Sequence, residues 1–313
     1  MHWTAVRFPR RGVGVLLVPR RGVGVLLVPR RGVGVLLVAA LLGACSSPGP
    51  PDAEPLATRT VITSTSDGDR SAIVHHPARA RRGAPLVVVL HGSSGSGQAM
   101  QAELGWDALA EREGVVVAYP DGIGHAWNAG RCCGRASTSS VDDVRFLDAL
   151  RAQLVQTDGI DPTRVYAVGF SNGAMMTYTW ACGRPGTLAG IGAVAGSLVA
   201  ACPAPAPITV VAVTGTSDRN VPIEGRPDRG WPGLDDSIAP FRAAAGCPAQ
   251  PAVSTTGGAE IRSWTCAGGR TVTREVIAGV AHAWPGGGSG AGTTLQPTDA
   301  TGYLWSLLRP AHT

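Results

Sequence analysis

Ser171 lies at the centre of the sequence pattern best suited to chemistry, Gly169-Phe170-Ser171-Asn172-Gly173. The apolar residues 165–168 precede it and a helix-like run follows, which predicts a sharp strand-to-helix turn with an exposed serine nucleophile. The next backbone N–H would lie at a helix N-terminus, where it can stabilise an oxyanion. The alternative is a glycine-rich turn with a solvated serine, because a chain with 43 glycines contains such patterns by chance. A catalytic role therefore requires a base, an acid and a second oxyanion donor.

Asp218 and His282 are the candidates for the acid and the base. Each follows an apolar strand candidate, 207–213 for Asp218 and 271–277 for His282, and parallel strands bring their carboxyl ends to one edge of a sheet. The order serine, aspartate, histidine is that of the α/β-hydrolase fold. In that arrangement Ser171 attacks an acyl carbon, His282 transfers the proton and Asp218 orients the imidazole. The alternative for Asp218 is an aspartate that merely closes an Asx turn.

A second oxyanion donor is expected in the loop that follows residues 85–90. This continuous apolar run is typical of a strand buried on both faces, and it leads into His91-Gly92-Ser93. In α/β-hydrolases a loop at this place donates one backbone N–H to the oxyanion. We therefore predict an oxyanion hole formed by the N–H groups of Asn172 and Ser93. An ordinary strand-to-helix turn is the alternative, and His91 itself is expected to be structural rather than a base.

The other periodic segments predict one α/β-hydrolase domain over residues 59–313, with a mostly parallel central sheet flanked by helices. Residues 223–246 are rich in proline and glycine and contain Trp231, Asp235 and Asp236, and we expect them to form a lid or wall over the site. The remaining predicted elements are a hairpin over 59–75, helices over 97–113, from 141 and over 297–309, and strands over 115–119 and 188–197.

The N-terminal residues predict export. Residues 1–44 contain a perfect ten-residue repeat, at 9–18, 19–28 and 29–38, and have the basic and apolar regions of a signal peptide. Cys45 ends a segment that resembles a bacterial lipobox, so we expect a lipidated cysteine, a flexible tether over 45–58 and a secreted, membrane-anchored lipoprotein. A plain secretory signal with an incidental cysteine is the alternative. The leader carries seven arginines and no acid, so its removal changes the formal net charge from +5 to −2. A basic surface for nucleic acid is therefore not expected.

Six cysteines remain after Cys45, an even number that favours disulfides in an exported chain. Proximity in sequence favours the pairs Cys247–Cys266 and Cys182–Cys202, which leaves the adjacent Cys132 and Cys133 as a third pair. A metal site is the weaker alternative, because no Cys-x-x-Cys pattern or histidine cluster accompanies the cysteines. We expect neither a metal nor a cofactor.

Trp127 lies in a polar loop and is a candidate for stacking on a substrate ring, although it could equally be a packed hydrophobic residue beside the cysteines. Asp142 and Asp143 open a predicted helix, where acidic side chains suit the helix dipole. We interpret both as helix-start residues rather than catalytic acids.

Seven segments spread along the chain, including those of Ser171, Asp218 and His282, together resemble the secreted poly(3-hydroxybutyrate) depolymerase and feruloyl esterase family, close to the esterases of carbohydrate esterase family 1. The resemblance implies Ser171, Asp218 and His282 as the triad, and a role for Trp284 and Pro285 in shaping the histidine loop, with Trp284 near the substrate. The chain departs from the family pattern at Thr214 and Ser93-Ser94, which affects the expected pocket shape. The matching segments are 90–92, 119–121, 127–128, 141–144, 169–176, 215–222 and 282–285.

The sequence therefore predicts an exported, monomeric serine esterase whose ester substrate can be polymeric. Feruloyl-type esters of polysaccharides are the first expectation, and a polyester depolymerase is the second. A cell-envelope acyltransferase would use the same triad, and a non-catalytic surface binding protein would be expected to have lost it. Residues 122–135 and 223–246 are expected to form the walls that decide the substrate.

Overall fold

A ten-stranded sheet forms the centre of the molecule in the computed structural model, which describes residues 58–287 and 299–309. The strands are β1 (Thr58–Thr65), β2 (Gly68–His75), β3 (Leu86–Leu90), β4 (Val116–Pro120), β5 (Val165–Phe170), β6 (Gly190–Val194), β7 (Thr209–Gly215), β8 (Ala252–Thr256), β9 (Ala259–Thr265) and β10 (Thr271–Ile277).

The strand order is β1-β2-β4-β3-β5-β6-β7-β10-β9-β8. The six inner strands, from β4 to β10 in that order, are parallel, and an antiparallel pair closes each side. The predicted hairpin over 59–75 is confirmed as β1 and β2, which pair Val61 with Ala72. The carboxyl ends of β5, β7 and β10 therefore meet at one edge of the sheet.

Helices cover both faces of the sheet because its central strands are apolar on both sides. Along β3, Leu86, Val88 and Leu90 face one core and Val87 and Val89 face the other. Helices α4, α5 and α6 pack on the first face, and α1, α2 and α7 pack on the second. The helices are α1 (Gly97–Glu103), α2 (Trp106–Glu113), α3 (Gly134–Thr138), α4 (Asp143–Thr157), α5 (Asn172–Gly183), α6 (Leu234–Ala244) and α7 (Ala300–Leu308).

Two predicted elements differ from the structure, and two strands were not predicted. The helix predicted over 97–113 is two helices, because Gly105 adopts a left-handed conformation with a φ of 72° and starts α2 in a new direction. The lid predicted over 223–246 is only partly a wall, since residues 234–244 form α6 against the sheet. Strands β8 and β9 were not predicted, because they are rich in polar residues and every residue of β8 is exposed.

The structure contains both disulfides that sequence proximity favoured, Cys182–Cys202 and Cys247–Cys266. The remaining pair, Cys132 and Cys133, is also joined. The predicted signal peptide, Cys45 and the tether lie outside the described residues. Within the described ranges, no helix combines the length and the apolar character needed to cross a bilayer.

Candidate active site

Ser171 sits between β5 and α5 in a strained conformation, with a φ of 54° and a ψ of −118°. The glycines on either side permit this turn for a steric reason. A Cβ on Gly169 would collide with the backbone of Gly173, and a Cβ on Gly173 would collide with the carbonyl oxygens of Leu90 and His91. The Gly-x-Ser-x-Gly pattern therefore reflects close backbone packing at a nucleophile elbow.

His282 bridges Ser171 and Asp218 through its two ring nitrogens. Its Nε2 lies 2.9 Å from Ser171 Oγ, and its Nδ1 lies 2.7 Å from Asp218 Oδ2. The Asp218 side chain is fully shielded from solvent, whereas 15% of the His282 side chain is exposed. The structure thus brings together the three residues that sequence order predicted.

The two oxygens of the Asp218 carboxylate have different hydrogen-bond partners. Its Oδ1 accepts hydrogen bonds from the backbone N–H groups of Asn220, at 2.9 Å, and Val221, at 2.8 Å. Its Oδ2 remains available to His282. The Asx turn that was the alternative role for Asp218 is therefore present, and it holds the carboxylate in the orientation that the histidine needs.

The predicted oxyanion loop lies directly against Ser171. A Cβ on Gly92 would be 3.4 Å from Ser171 Cβ and 3.1 Å from Phe170 Cδ1, so only a glycine allows this approach without displacement. Ser93 and Asn172 both line the same cavity as Ser171. Their backbone N–H groups are thus candidates for stabilising an oxyanion.

His91 is a buried connector beneath this loop, as expected of a structural histidine. Its Nε2 accepts a hydrogen bond from Gly122 N–H at 2.9 Å, so the proton is on Nδ1, which donates to Gly92 O at 2.7 Å. Its side chain has no exposed surface. Burial lowers the pKa of His91 below its usual value. The neutral ring therefore joins the oxyanion loop to the loop after β4.

The prediction that Trp127 contacts substrate is wrong. Its side chain is fully buried, its ring centroid lies 4.9 Å from that of His91, and its Nε1 donates to His91 O at 2.9 Å. The Asn172 side chain pairs with the Trp127 backbone, accepting from its N–H at 2.7 Å and donating to its carbonyl at 3.0 Å. Trp127 therefore supports the wall of the site from behind.

Trp284 is likewise placed in the core rather than at the substrate. It is 3% exposed, and its Nε1 donates to Thr301 Oγ1 of α7 at 3.2 Å. This contact fixes the loop that carries His282, two residues earlier. The role that the family resemblance implied for Trp284 in shaping the histidine loop agrees with this position, and its expected contact with substrate does not.

Asp143 does more than begin a helix. Its carboxylate is buried, pairs with the buried Arg70 at 2.8 Å and accepts a hydrogen bond from Asn128 N–H at 2.7 Å. The guanidinium of Arg70 also lies 4.0 Å from the centroid of the Phe146 ring. Asp142 is the expected N-cap, accepting from Arg145 N–H at 2.9 Å. The pair Arg70–Asp143 thus anchors the loop that contains Trp127.

A cavity of about 360 Å³ opens over Ser171 and His282. Three apolar residues in its walls were not predicted to contact substrate: Phe170, Met175 and Val221. Trp231, from the predicted wall, also lines the cavity. The Cys132–Cys133 disulfide forms another part of the wall. Asp235 and Asp236 are not there, since they begin α6 and Asp235 pairs with Arg274 at 3.1 Å.

Arg226 and Arg229 also line the cavity and were not predicted. The one sequence signal for a role of these arginines in the cavity is their position within residues 223–246, the segment expected to form a wall. No group of three or more histidine, cysteine, aspartate or glutamate side chains converges as a metal site within residues 58–287 and 299–309.

Comparison with known proteins matches residues 70–240 to the family described as esterase PHB depolymerase. The chain belongs to this family. It is accordingly a carboxylic ester hydrolase, and the α/β-hydrolase fold predicted from the sequence is confirmed.

The similar proteins agree on ester hydrolysis and differ in substrate. NocK of Nocardia uniformis subsp. tsuyamanensis, whose name describes an esterase, is 32% identical over 241 residues, covering 66% of this chain and 67% of NocK. Feruloyl esterase B of Piromyces equi is 27% identical over 234 residues, and the match spans 68% of this chain but only 42% of that enzyme.

Among solved structures, an acetyl xylan esterase from Aspergillus awamori has a similar fold. The two match with a TM-score of 0.55 at 14% identity, over 72% of this chain and 94% of that one. At this level of identity the likeness concerns the fold alone.

Proposed function

We propose that the chain is a serine esterase in which Ser171, His282 and Asp218 act as a catalytic triad. One observation carries the proposal: a continuous hydrogen-bonded chain runs from Asp218 Oδ2 through both nitrogens of His282 to Ser171 Oγ, beneath an open cavity. Ser171 attacks the ester carbonyl while His282 accepts its proton. His282 then returns the proton to the departing alcohol, and water releases the acyl group by the reverse sequence.

The backbone N–H groups of Asn172 and Ser93 are the proposed oxyanion donors. Asn172 begins α5, so its N–H belongs to the first turn, where the helix dipole favours negative charge. Ser93 follows Gly92, which packs against Ser171. Loss of one such donor generally costs about 3 kcal/mol of transition-state stabilisation.

The substrate class that we propose first is acyl esters of polysaccharides, with feruloyl esters as the leading case. The aromatic ring of Trp231 and the side chains of Phe170 and Met175 offer apolar surface for a planar acyl group in the cavity. The name of the Piromyces equi relative supports this choice. The second candidate is a polyester depolymerase, which the family description favours.

The decisive experiment is labelling with a fluorophosphonate probe, which reacts with activated serines. We expect the wild-type chain to be labelled at Ser171, and Ser171→Ala to lose labelling and turnover of 4-nitrophenyl acetate while keeping its midpoint of unfolding in urea. Residual wild-type activity in Ser171→Ala would refute the triad. Methyl ferulate and hydroxybutyrate oligomers then separate the two substrate classes, and product analysis with an acceptor sugar detects acyl transfer.

Export and lipid anchoring through Cys45 belong to the same proposal and rest on the sequence of residues 1–58. We expect the wild-type chain in the membrane fraction of a bacterial host and Cys45→Ala in the soluble exported fraction. Membrane association of Cys45→Ala equal to that of the wild type would contradict the lipid anchor.

A further inference from the structure

The cavity above Ser171 has an uneven charge distribution. Two arginines, Arg226 and Arg229, belong to its lining, and among the described residues of that lining none is acidic. Asp218 lies behind His282 with its side chain fully shielded. The lining that a substrate meets therefore contains cationic side chains and no acidic one, and the exposed Asp228 outside the lining pairs with Arg226.

Arg226 and Arg229 differ in their partners. Arg226 is held by the exposed Asp228, with hydrogen bonds of 3.1 Å from Nε to Oδ1 and from Nη2 to Oδ2. Arg229 has no carboxylate within ion-pair distance among the described residues, although, after the hydrogen bond from Arg226, its charge helps to lower the pKa of the exposed Asp228. Its guanidinium lies 5.1 Å from the centroid of the Trp231 ring. Contact with an aromatic ring restrains a guanidinium but leaves its N–H groups free for an anion.

A third arginine lies next to Arg229. Arg131, which precedes the Cys132–Cys133 disulfide in the chain and lies outside the lining, donates from Nη1 to Gly230 O at 3.4 Å. Gly230 follows Arg229 directly, so arginines from two loops meet next to Trp231. The positive charges of Arg131 and Arg229 therefore lie close together, and a planar carboxylate is the ligand that an arginine binds with two parallel hydrogen bonds.

We propose that Arg229 makes this cavity select esters that carry a free carboxylate in addition to the ester group. The inference rests on the proposed function, because it concerns the substrate of the same site. The carboxylate can belong to the acyl part, as in a half-ester of a dicarboxylic acid, or to the alcohol part, as in an ester of a hydroxy acid or a uronic acid. A neutral ester of the same shape lacks the ion pair with Arg229.

Two matched pairs of chromogenic esters distinguish these sources. Mono-4-nitrophenyl adipate and its terminal amide test the acyl part, and 4-acetoxybenzoate and 4-acetoxybenzamide test the alcohol part. In wild type we expect kcat/KM for the acid to exceed that for the amide about fivefold or more in at least one pair, since a partly exposed charged hydrogen bond is worth about this factor. The preference should shrink in 0.5 M NaCl, where exposed charges are screened.

Arg229→Gln is expected to bring the acid-to-amide ratio close to one. The matched control is Arg82→Gln, which removes an exposed arginine from the loop before β3, at the other end of the parallel strands. It should keep the wild-type ratio. Equal rates for acid and amide in both pairs, a preference that survives Arg229→Gln, or an equal loss in Arg82→Gln would each overturn the inference. Activity of Ser171→Ala would instead refute the proposed function, whatever the ratio.

Discussion

His91 provides the sharpest test of how the oxyanion loop is held in place. It is fully buried, it is not one of the residues that line the cavity, and it connects two loops through its two ring nitrogens. We consider His91→Phe, which keeps a ring of similar shape, and His91→Gln, whose side-chain oxygen can still accept from Gly122 N–H. The two variants separate the hydrogen bond from the packing.

The expected cost follows from the partners. In His91→Phe, Gly122 N–H loses its acceptor, whereas Gly92 O still accepts from Gly95 N–H at 3.0 Å. One orphaned donor and one lost hydrogen bond together amount to about 2–3 kcal/mol of unfolding free energy. The loop would also shift at Gly92, so we expect kcat to fall by up to about 100-fold, the effect of losing one oxyanion donor. His91→Gln should lose about 1 kcal/mol or less.

The pH dependence gives a second, independent readout. Burial lowers the pKa of His91 in the folded chain below the usual value for histidine, about 6.5. The unfolded chain therefore takes up a proton as the pH falls through 6.5, while folded His91 stays neutral. The contribution of neutral His91 to the free energy of unfolding is fully present above pH 6.5. It is lost progressively as the pH falls from 6.5 to the pKa of His91 in the folded chain. Between pH 7.5 and pH 5.5 the wild type should lose more unfolding free energy than His91→Gln, which cannot titrate.

Urea unfolding at the two pH values measures both effects, and initial rates with 4-nitrophenyl acetate report the catalytic one. His91→Gln serves as the control for the wild type because the other histidines are common to both. An identical loss of stability on acidification in the two chains would refute the neutral, buried role of His91. Wild-type kcat in His91→Phe would show that the loop does not depend on this side chain.

Two further predictions concern the nucleophile and its partners. Asp218→Asn should lower kcat by about 10⁴-fold, because the amide cannot hold His282 in the required tautomer, and the chain should remain folded on circular dichroism; a loss below tenfold would contradict the assigned role. Gly173→Ala should destabilise the chain by about 1–3 kcal/mol in urea, because its Cβ meets the carbonyl oxygens of Leu90 and His91. An unchanged urea midpoint would contradict this steric explanation.

The sequence predicted the central strands well because their signal is local. Runs such as 86–90 and 165–170 are apolar on both faces and can only be buried. Once those strands are parallel, residues just beyond their carboxyl ends must share one edge of the sheet, which is why the neighbours Ser171, Asp218 and His282 could be predicted together. Strand β8 has no such signal, because its side chains all face solvent and its pairing with β9 decides its structure.

The walls of the site could not be predicted in the same way. Trp127 in a polar loop was compatible with an exposed or a buried ring, and only the long-range contacts with His91 and Asn172 decide in favour of burial. Arg229, in contrast, is exposed. Its place beside Trp231 depends on the path of one loop, which composition does not determine.

These two walls are also held in different ways, and this has a consequence for specificity. The wall around Trp127 and the disulfide is tied to the nucleophile by the Asn172 side chain and to the core by Asp143. The wall over residues 220–231 is held mainly by local bonds, such as Gly225 N–H to Pro222 O at 2.9 Å and the paired backbones of Arg226 and Trp231. We expect a substitution in the first wall to move the loops beside Ser171. In the second wall, Asn220 and Val221 hold Asp218, but a substitution at residues 223–231 can change the substrate without disturbing the proposed triad. Arg229 lies in the second wall, where the proposed selection for a charged ester would leave the contacts between Ser171, His282 and Asp218 unchanged.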